Sequence, residues 1–401
     1  MTASISSKRV RFPVLVVDAH ERMAVAAIRS LGRAGYPVHA GSARRYAMGW
    51  GSRYTKCVAR CPRYESPHFV PWLREYCHAH LIRCIVPTDD LLLAIRHAYE
   101  EFEPLLPLID DKKAVYAGLS KFDLFSKLSC NSGECRAATN LAPFLLVRRD
   151  CSLPNIDDIE SLGAPFYVKA DAVASVSGTS SVVRVVQTSH EALDLTAKSL
   201  DEYDKIVIQG HVPGDGVGAF LLRWNGRVRA RFMHRRLHEI PGSGWSSLRT
   251  SWWHDAIMAD AENKLGSIQW EGVAMLEYRW NPETDEFWLL EMNSRFWGSL
   301  HLALYAGVDF PRLLLDAFHG LGRETVDGRE SNVSCRNFAL ECRYVQSRLR
   351  TNGTSVAKKL GLLLEFLLLS LDPRIKSDLW FPGDRRVWWL QFRQYLVAGP
   401  N

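Results

Sequence analysis

The sequence predicts a chain of mixed class: an α/β domain with a parallel sheet, followed by an α+β region built from antiparallel hairpins. Residues 13–42 alternate strand, helix and strand, and such a βαβ unit places its two strands parallel in one sheet. Further on, Asn225–Gly226 separates two apolar runs, a dipeptide typical of a two-residue hairpin turn. A second hairpin is predicted where Gly272–Trp280 and Phe287–Met292 flank the turn-forming stretch Asn281–Asp285.

Composition and charge indicate a globular protein with small anionic ligands. A chain of 401 residues suggests two or three domains with ample core. Its 47% hydrophobic and 23% charged residues are ordinary for a soluble protein. The formal net charge of +6 suits nucleotides, and no block of Lys and Arg points to nucleic acid.

The cysteines and apolar runs indicate the cytoplasm. Nine cysteines, an odd number at irregular spacing, favour a reducing compartment. The first twelve residues, MTASISSKRVRF, lack the apolar core of a signal peptide. The longest apolar run, Leu360–Leu371, is interrupted by Glu365 and is too short to span a bilayer. We therefore expect no transmembrane segment, and we expect this run to form a helix packed on the body of the protein.

The first domain, expected over residues 10–112, begins with the strand PVLVVDA and the amphipathic helix HERMAVAAIRSLGRAG. The turn Asp18–Glu21 after the first strand has no GxGxxG pattern, so dinucleotide binding is not supported. A later strand, Ile82–Pro87, ends in Thr88, Asp89 and Asp90. Either aspartate is expected to face a substrate at the strand end or to cap the following helix.

The next region, residues 113–207, combines two lysines with a loop of small residues. Lys121 opens a predicted helix, and Lys169 lies near the end of the predicted strand Pro165–Asp171. The loop Ala174–Ser181 follows, and it contains Ser177 and Gly178. A loop of Ser, Thr and Gly between strands offers backbone N–H groups and hydroxyls to phosphates, although ordinary hairpin loops share this composition.

The third region, residues 208–322, contains the predicted strands Gly218–Trp224 and Arg227–Phe232 and the hairpin near its end. A basic, Gly- and Ser-rich stretch, residues 234–251, follows the second of these strands and precedes the predicted helix Ala256–Ser267. We expect this stretch to be a loop. Residues 323–401 are expected to form a helical C-terminal extension.

The second hairpin carries a set of oxygen ligands. Glu277 lies on its first strand and Glu291 on its second, with Asn293 two residues further on. Because side chains alternate along a strand, Glu291 and Asn293 share a face, and strand pairing can bring Glu277 beside them. Two carboxylates and an amide oxygen suit Mg²⁺. Arg295 adds a cation, and the apolar residues around these acids disfavour a merely solvated edge.

Taken together, these features resemble the ATP-grasp superfamily, in particular bacterial carboxylate–amine ligase-like members related to carbamoyl-phosphate synthetase domains. The resemblance covers about residues 12–320 and is most specific in the string LEMNSRFWGSLHLALYAGVDFP at 290–311. It implies an ATP-grasp fold preceded by a Rossmann-like domain, with a small lid subdomain at 113–207 and a catalytic subdomain at 208–322.

The resemblance also implies roles for individual residues. Those implied to contact ATP are Lys121, Lys169, Ser177, Gly178, Gln209, Val212 and Asp215. Those implied to bind Mg²⁺, or Mn²⁺ in its place, are Glu277, Glu291 and Asn293. Those implied to act on the reacting groups are Arg295, Arg235 and Arg236.

The function implied is an ATP-dependent ligase that activates a carboxylate as an acyl phosphate and joins it to an amine. Its partners would be small molecules, and a homodimer is one option for its assembly. Three features depart from the family pattern: a lid loop with a single glycine, Gln209 where relatives have glutamate, and Trp245 where they often have glycine. A non-catalytic ATP-binding sensor or assembly protein is therefore the alternative. An NAD(P)-dependent oxidoreductase is a weak third hypothesis without the glycine fingerprint.

Overall fold

The computed structural model describes residues 11–130, 139–175, 181–240, 244–322, 324–351 and 355–398. Ser177 and Gly178, which the sequence assigns to phosphate binding, lie outside these ranges. The chain forms two compact units. One contains the residues up to Pro107 and those from Pro382 onward, and the other runs from Leu108 to Phe381.

The first unit contains a four-stranded parallel sheet in the order β3-β2-β1-β4. Parallel pairing of β1 with β2 agrees with the βαβ unit expected from the sequence. Thr88 caps α3 by accepting a hydrogen bond from the N–H of Leu91, so the expectation that Asp89 or Asp90 caps this helix is wrong. The strands and helices of this part are β1 (Val14–Val16), α1 (Arg22–Arg33), β2 (Val38–Ser42), β3 (Thr55–Arg60), α2 (Phe69–Ala79), β4 (Cys84–Val86), α3 (Asp89–Ala94) and α4 (Tyr99–Phe102).

The end of the chain belongs to this first unit. Asp384, just before the helix α14 (Arg386–Ala398), is buried and accepts a hydrogen bond from Arg29 Nε on α1 at 2.8 Å. Ser52 Oγ and the backbone N–H of Arg53 also donate to this carboxylate, at 2.7 and 2.9 Å. The range 323–401, expected as one extension, is thus divided between the two units.

The second unit begins with α5 (Lys112–Gly118) and α6 (Lys121–Cys130) and continues into a four-stranded antiparallel sheet. In the order β5-β8-β6-β7, its strands are β5 (Phe144–Arg148), β8 (Lys205–Gln209), β6 (Phe166–Ala170) and β7 (Val182–Val186). The helices α7 (Ile156–Glu160) and α8 (Ser189–Ser199) contribute Ile159 and Ala192 to the core against this sheet.

A larger sheet has the order β13-β12-β9-β10-β11-β15-β16, with β14 paired to β10. Its two central strands are joined by a turn in which Asn225 and Gly226 both have positive φ, 52° and 71°, as the Asn-Gly pair predicts. Its strands are β9 (Asp215–Trp224), β10 (Arg227–Glu239), β11 (Ser246–Ser251), β12 (Gly272–Trp280), β13 (Phe287–Asn293), β14 (Val326–Asp327), β15 (Ser334–Arg336) and β16 (Ile375–Ser377). Its helices are α9 (Asp255–Ser267), α10 (Leu300–Tyr305), α11 (Phe310–Phe318), α12 (Phe338–Leu349) and α13 (Val356–Leu371).

The sequence suggested a loop for the basic stretch 234–251, but most of its described residues belong to two strands. β10 continues to Glu239, and β11 pairs with it in antiparallel register. Its charged residues fit a sheet because acids lie opposite them: Arg236 pairs with Glu277, and buried Arg249 pairs with Asp378. Partners that are distant in the sequence therefore make a strand out of a segment whose composition is typical of a loop.

We predict that Asp384→Ala destabilises the first unit, because it leaves the buried Arg29 guanidinium without its carboxylate partner. Breaking a buried ion pair from one side costs about 3–5 kcal/mol. Native-state hydrogen exchange, read on peptides from β1 and α1, would show a loss of protection of this order. The matched control is Glu101→Ala, which removes the exposed pair with Arg74 in the same unit and should leave protection unchanged. Equal protection in the two variants would contradict the prediction.

Candidate functional site

The site is built on the hairpin of β12 and β13. Its first strand has the predicted bounds, and its second is one residue longer than predicted, so that it includes Asn293. The register places Glu277 directly opposite Glu291, and Met275 opposite Asn293. Asn293 Nδ2 donates a hydrogen bond to Glu291 Oε1 at 3.3 Å. Two carboxylates and an amide therefore occupy one small area of the sheet.

Arg236 on β10 neutralises one of these carboxylates. Its Nη2 lies 2.6 Å from Glu277 Oε2, and its side chain is buried. Gly218 of β9 pairs with Glu277 on one side and with His234 on the other, so Glu277, His234 and Arg236 share a face of the sheet. Burial by itself would lower the pKa of Arg236. The negative charges of Glu277 and Glu239 outweigh this effect, so the pKa is raised.

Glu239 extends this charge network. It accepts hydrogen bonds from Arg236 Nη1 at 3.3 Å and from Arg279 Nη1 at 2.9 Å. A Cβ at Gly216 would lie 2.0 Å from Glu239 Oε1, so a larger residue there would displace this carboxylate from its present position. Arg279 also donates to the carbonyl of Gly214 at 3.2 Å. These contacts link the sheet to the segment that enters β9.

Lys121 reaches the second carboxylate from the start of α6. Its Nζ lies 3.7 Å from Glu291 Oε2 and 2.9 Å from Asp171 Oδ1. Asp171 Oδ2 also accepts a hydrogen bond from the backbone N–H of Lys121 at 2.6 Å. Both oxygens of a buried aspartate thus hold one lysine at its backbone and at its ammonium group, which positions the ammonium toward Glu291.

Lys169 approaches the same place from β6. It is buried, and its Nζ donates to Gln209 Oε1 at 2.5 Å, while Gln209 Nε2 donates to the carbonyl of Leu290 at 3.3 Å. This chain of hydrogen bonds connects the small sheet to β13. Burial lowers the pKa of Lys169 and Lys121 adds to the effect, against the opposing pull of Glu291, Glu277 and Asp171.

The cations keep Glu291 ionised. Burial by itself would raise the pKa of this carboxyl, but Lys121 and Lys169 outweigh it, with Asn293 and Arg236 helping, and the pKa falls to about 2. A carboxylate with this pKa is charged throughout the physiological range. Perturbed carboxyl and amine groups gathered in one place are a common feature of functional sites.

The remaining predicted site residues in the described ranges lie in three other places. Arg235 is the residue after His234 on β10, so its side chain lies on the opposite face of the sheet from the glutamates. There its Nη2 lies 2.5 Å from Asp215 Oδ2, and its guanidinium lies over the Trp280 ring. Arg295 Nη1 donates to the carbonyl of Phe296 at 3.0 Å, in the segment after β13. Val212 is buried in the connection between β8 and β9, close in sequence to Gln209.

The donor set fits a divalent cation that is shared with a ligand. No three His, Cys, Asp or Glu side chains converge within the described ranges in a way that would hold a metal ion on their own. Glu277, Glu291 and the Asn293 amide provide oxygen donors from the protein side, which matches the preference of Mg²⁺ for one or two carboxylates together with phosphate oxygens and water. With a divalent ion held by the glutamates, Lys121, Lys169 and Arg236 would favour an anionic ligand there.

Sequence reasoning missed three residues of this site: Asp171, Glu239 and Arg279. Asp171 had a local signal, since it follows Lys169 by two residues at a strand end and an aspartate there tends to meet another charge. Glu239 and Arg279 had none, because their contact depends on the continuation of β10 to Glu239 and on the pairing of β12 with β9.

Comparison with solved structures identifies the fold. The L-amino acid ligase from Bacillus licheniformis matches with a TM-score of 0.57 at 16% identity, over 77% of this chain and 74% of that one. N5-carboxyaminoimidazole synthetase from Staphylococcus aureus, complexed with ADP, matches with a TM-score of 0.57 at 15% identity, over 79% and 80%. The chain has the ATP-grasp fold. With the parallel sheet of the first unit, this confirms the predicted ATP-grasp fold with a Rossmann-like domain before it.

A third structure of this ATP-grasp group shows a nucleotide. The biotin carboxylase domain of 2-oxoglutarate carboxylase from Hydrogenobacter thermophilus, in complex with MgADP, ADP and bicarbonate, matches with a TM-score of 0.59 at 13% identity, over 80% of this chain and 73% of that one. No family model matches the sequence, and no curated protein matches it either.

We predict that Glu291 makes the stability of the protein depend on acid pH. A carboxyl whose pKa falls from 4.5 to about 2 on folding stabilises the folded state above pH 4.5, and this contribution is lost as the pH falls toward 2. The shift corresponds to a contribution on the order of 3 kcal/mol. The difference in unfolding free energy between wild type and Glu291→Gln, measured in urea, should therefore move in favour of the variant as the solution is acidified.

The control for this titration is Glu283→Gln, in the exposed turn of the same hairpin. It should leave a difference from wild type that stays constant with pH. A constant difference for Glu291→Gln as well would show that Lys121 and Lys169 do not depress the pKa of this carboxyl.

Proposed function

We propose that this protein is an ATP-dependent ligase that activates a carboxylate as an acyl phosphate and joins it to an amine, releasing ADP and phosphate. The observation that supports it most is the opposed pair Glu277 and Glu291, ringed by cations from three separate elements. Phosphoryl transfer asks a protein for positioning and charge neutralisation more than for covalent chemistry, and this arrangement provides both.

In this proposal Lys121 and Lys169 bind the phosphates of ATP. Asp171 holds the first ammonium in place, and Gln209 holds the second. The segment from Gln209 to Val212 would contact the adenine edge, whereas Asp215, paired with Arg235 on the opposite face, is left without a role in ATP binding. An anionic group added beside Lys169 would oppose the effect of burial, which lowers the pKa of this ammonium group.

Glu277, Glu291 and Asn293 would hold Mg²⁺ in this proposal. When bound, the ion would supply charge neutralisation for phosphoryl transfer. Glu277, which pairs with Arg236 in this structure, would be one of its ligands. Arg236 keeps Glu239 as an acid partner and can turn its second nitrogen toward a substrate carboxylate.

The reaction that these groups would support has two steps. A carboxylate oxygen of the first substrate attacks the γ-phosphorus, and ADP leaves with the electron pair of the broken P–O bond. The amine then attacks the acyl carbon, phosphate leaves, and the amine nitrogen loses a proton. Arg295 and Arg236 would stabilise the negative charge that develops on the phosphoryl and acyl oxygens. Exclusion of water protects the acyl phosphate from hydrolysis.

An ADP-release screen tests the proposal. Purified protein, Mg²⁺ and ATP are incubated with pairs drawn from a panel of carboxylates and amines, and ADP, phosphate and the condensed product are measured. The proposal expects ADP release that requires Mg²⁺ and both co-substrates and is lost in Glu291→Ala with the fold retained. Tight ATP binding with no release for any pair would favour the non-catalytic ATP-binding alternative.

We predict that Lys121 and Asp171 act as one unit in ATP binding. Lys121→Ala and Asp171→Ala should each weaken ATP affinity by about tenfold, because a charge-assisted contact to phosphate is lost or misplaced. The double variant should be no weaker than Lys121→Ala, since Asp171 acts through the lysine. Calorimetric titration of ATP measures all three.

The same helix provides a matched control pair. Asp123 of α6 forms an ion pair with Lys205 at 2.6 Å, away from the glutamates. Asp123→Ala should leave ATP affinity unchanged. Additive losses from Lys121→Ala and Asp171→Ala would show that Asp171 contributes on its own account.

We predict that Arg295→Ala lowers kcat by about a hundredfold or more while ATP affinity stays within about twofold, because the arginine would act on charge that develops in the transition state. Initial rates with the pair found in the screen give kcat, and calorimetry gives ATP affinity. Arg295→Lys should recover part of the rate. A loss of ATP affinity as large as the loss of kcat would place Arg295 in ground-state binding.

A further inference from the structure

The outer face of α13 is an exposed apolar stripe. It consists of residues spaced three and four apart, which places them on one side of the helix. Their exposed fractions run from 41% for Leu363 to 79% for Leu371. The members of this leucine stripe are Val356, Leu360, Leu363, Leu364, Leu367, Leu368 and Leu371.

The opposite face of α13 already packs on the protein. Leu362, Phe366 and Leu369 are half-buried on that side, and the Phe366 ring lies 5.8 Å from the ring of Phe338 on α12. The leucine stripe is therefore the side that an ordinary surface helix would make polar. A continuous exposed apolar patch of this extent marks a contact with a protein or a membrane.

Basic residues surround the stripe. Between Arg343 and Lys376 the sequence holds seven Lys and Arg residues against two acids, Glu365 and Asp372. Glu365 Oε1 lies 3.4 Å from His238 Nε2, and Asp372 accepts hydrogen bonds from Arg374, which offsets one of the seven cations. The segment that contains the stripe thus carries a net positive charge.

Positive charges lie at both ends of α13. Their placement distinguishes two possible partners of the leucine stripe, a second copy of the chain and an anionic bilayer. Lys358 and Lys359 are in its first turn, and Arg374 and Lys376 follow its last. If a second copy of the chain paired its α13 with this one, cations would meet cations at each end, whether the helices ran parallel or antiparallel. Like charges at such close range disfavour that pairing. A surface of anionic phospholipid headgroups complements both ends at once.

We infer that α13 binds the surface of an anionic phospholipid bilayer, with the leucine stripe inserted among the upper acyl chains and the flanking Lys and Arg at the headgroups. An amphipathic helix in this orientation lies in the plane of the interface. No helix in the described parts of the chain is long and apolar enough to cross a membrane. The contact is separate from the nucleotide site and does not depend on the proposed reaction.

Vesicle co-sedimentation of the full chain tests this inference. The protein is mixed with vesicles of phosphatidylcholine, or of phosphatidylcholine with phosphatidylglycerol, and the bound fraction is measured at low and high salt. We expect binding to the anionic vesicles that weakens with salt. Leu364→Gln with Leu367→Gln should lower the partition coefficient by about tenfold or more. Lys358→Ala with Lys359→Ala should lower it by roughly tenfold, on anionic vesicles only.

The matched control removes equally exposed apolar residues elsewhere. Val183→Gln with Val185→Gln, on β7, should leave vesicle binding unchanged. Circular dichroism checks that each variant is folded, and the lysine variant still tests the inference if the leucine variant does not fold. Failure to bind anionic vesicles would overturn the inference, and so would equal binding to neutral ones. A dimer by light scattering that Leu364→Gln with Leu367→Gln converts to a monomer would assign the stripe to a second copy instead.

Discussion

The candidate site depends on the placement of two glutamates directly opposite each other on neighbouring strands. Like charges in this position destabilise a sheet, so Glu277 and Glu291 need cations close by. Arg236 meets the first, and Lys121 meets the second, from two elements that are far apart in the sequence. The requirement for neutrality therefore ties α6 to the large sheet, and Lys169 with Gln209 adds a hydrogen-bonded link from the small sheet.

This neutrality also explains how the site could exchange partners. The contacts of Glu277 with Arg236 and of Glu291 with Lys121 are made by side chains rather than by backbone, so a divalent ion could take their place. The pKa of Glu291 is held at about 2, which leaves its carboxylate available as a ligand without a proton to displace. Burial lowers the pKa of Lys169, so an anion bound beside it would stabilise its charged form. These electrostatics support the proposal that Mg-ATP binds here.

The C-terminal part of the chain contributes to both units in different ways. Buried Asp384 anchors the end of the chain on α1 through Arg29. Earlier in the same region, α13 packs one apolar face on α12 and leaves the other exposed. The expectation that this apolar run packs on the body is therefore met by one face only. The exposed face is what leads us to a membrane surface rather than to a buried helix.

Local patterns in the sequence determined the hairpin of β12 and β13, the start of α6 at Lys121, and the parallel first sheet, because turn residues and hydrophobic periodicity act over a few neighbours. The sequence also predicted which acids share a face, since alternation along a strand needs no tertiary information. Only the tertiary structure decided that β10 continues through Arg236. Because side chains alternate along this strand, Arg236 contacts Glu277, whereas Arg235 contacts Asp215 on the other face. Asp171, likewise, acquires its role from a lysine fifty residues away. Charge pairs of this kind are set by how sheets and helices pack, and the order of residues along the chain does not encode them locally.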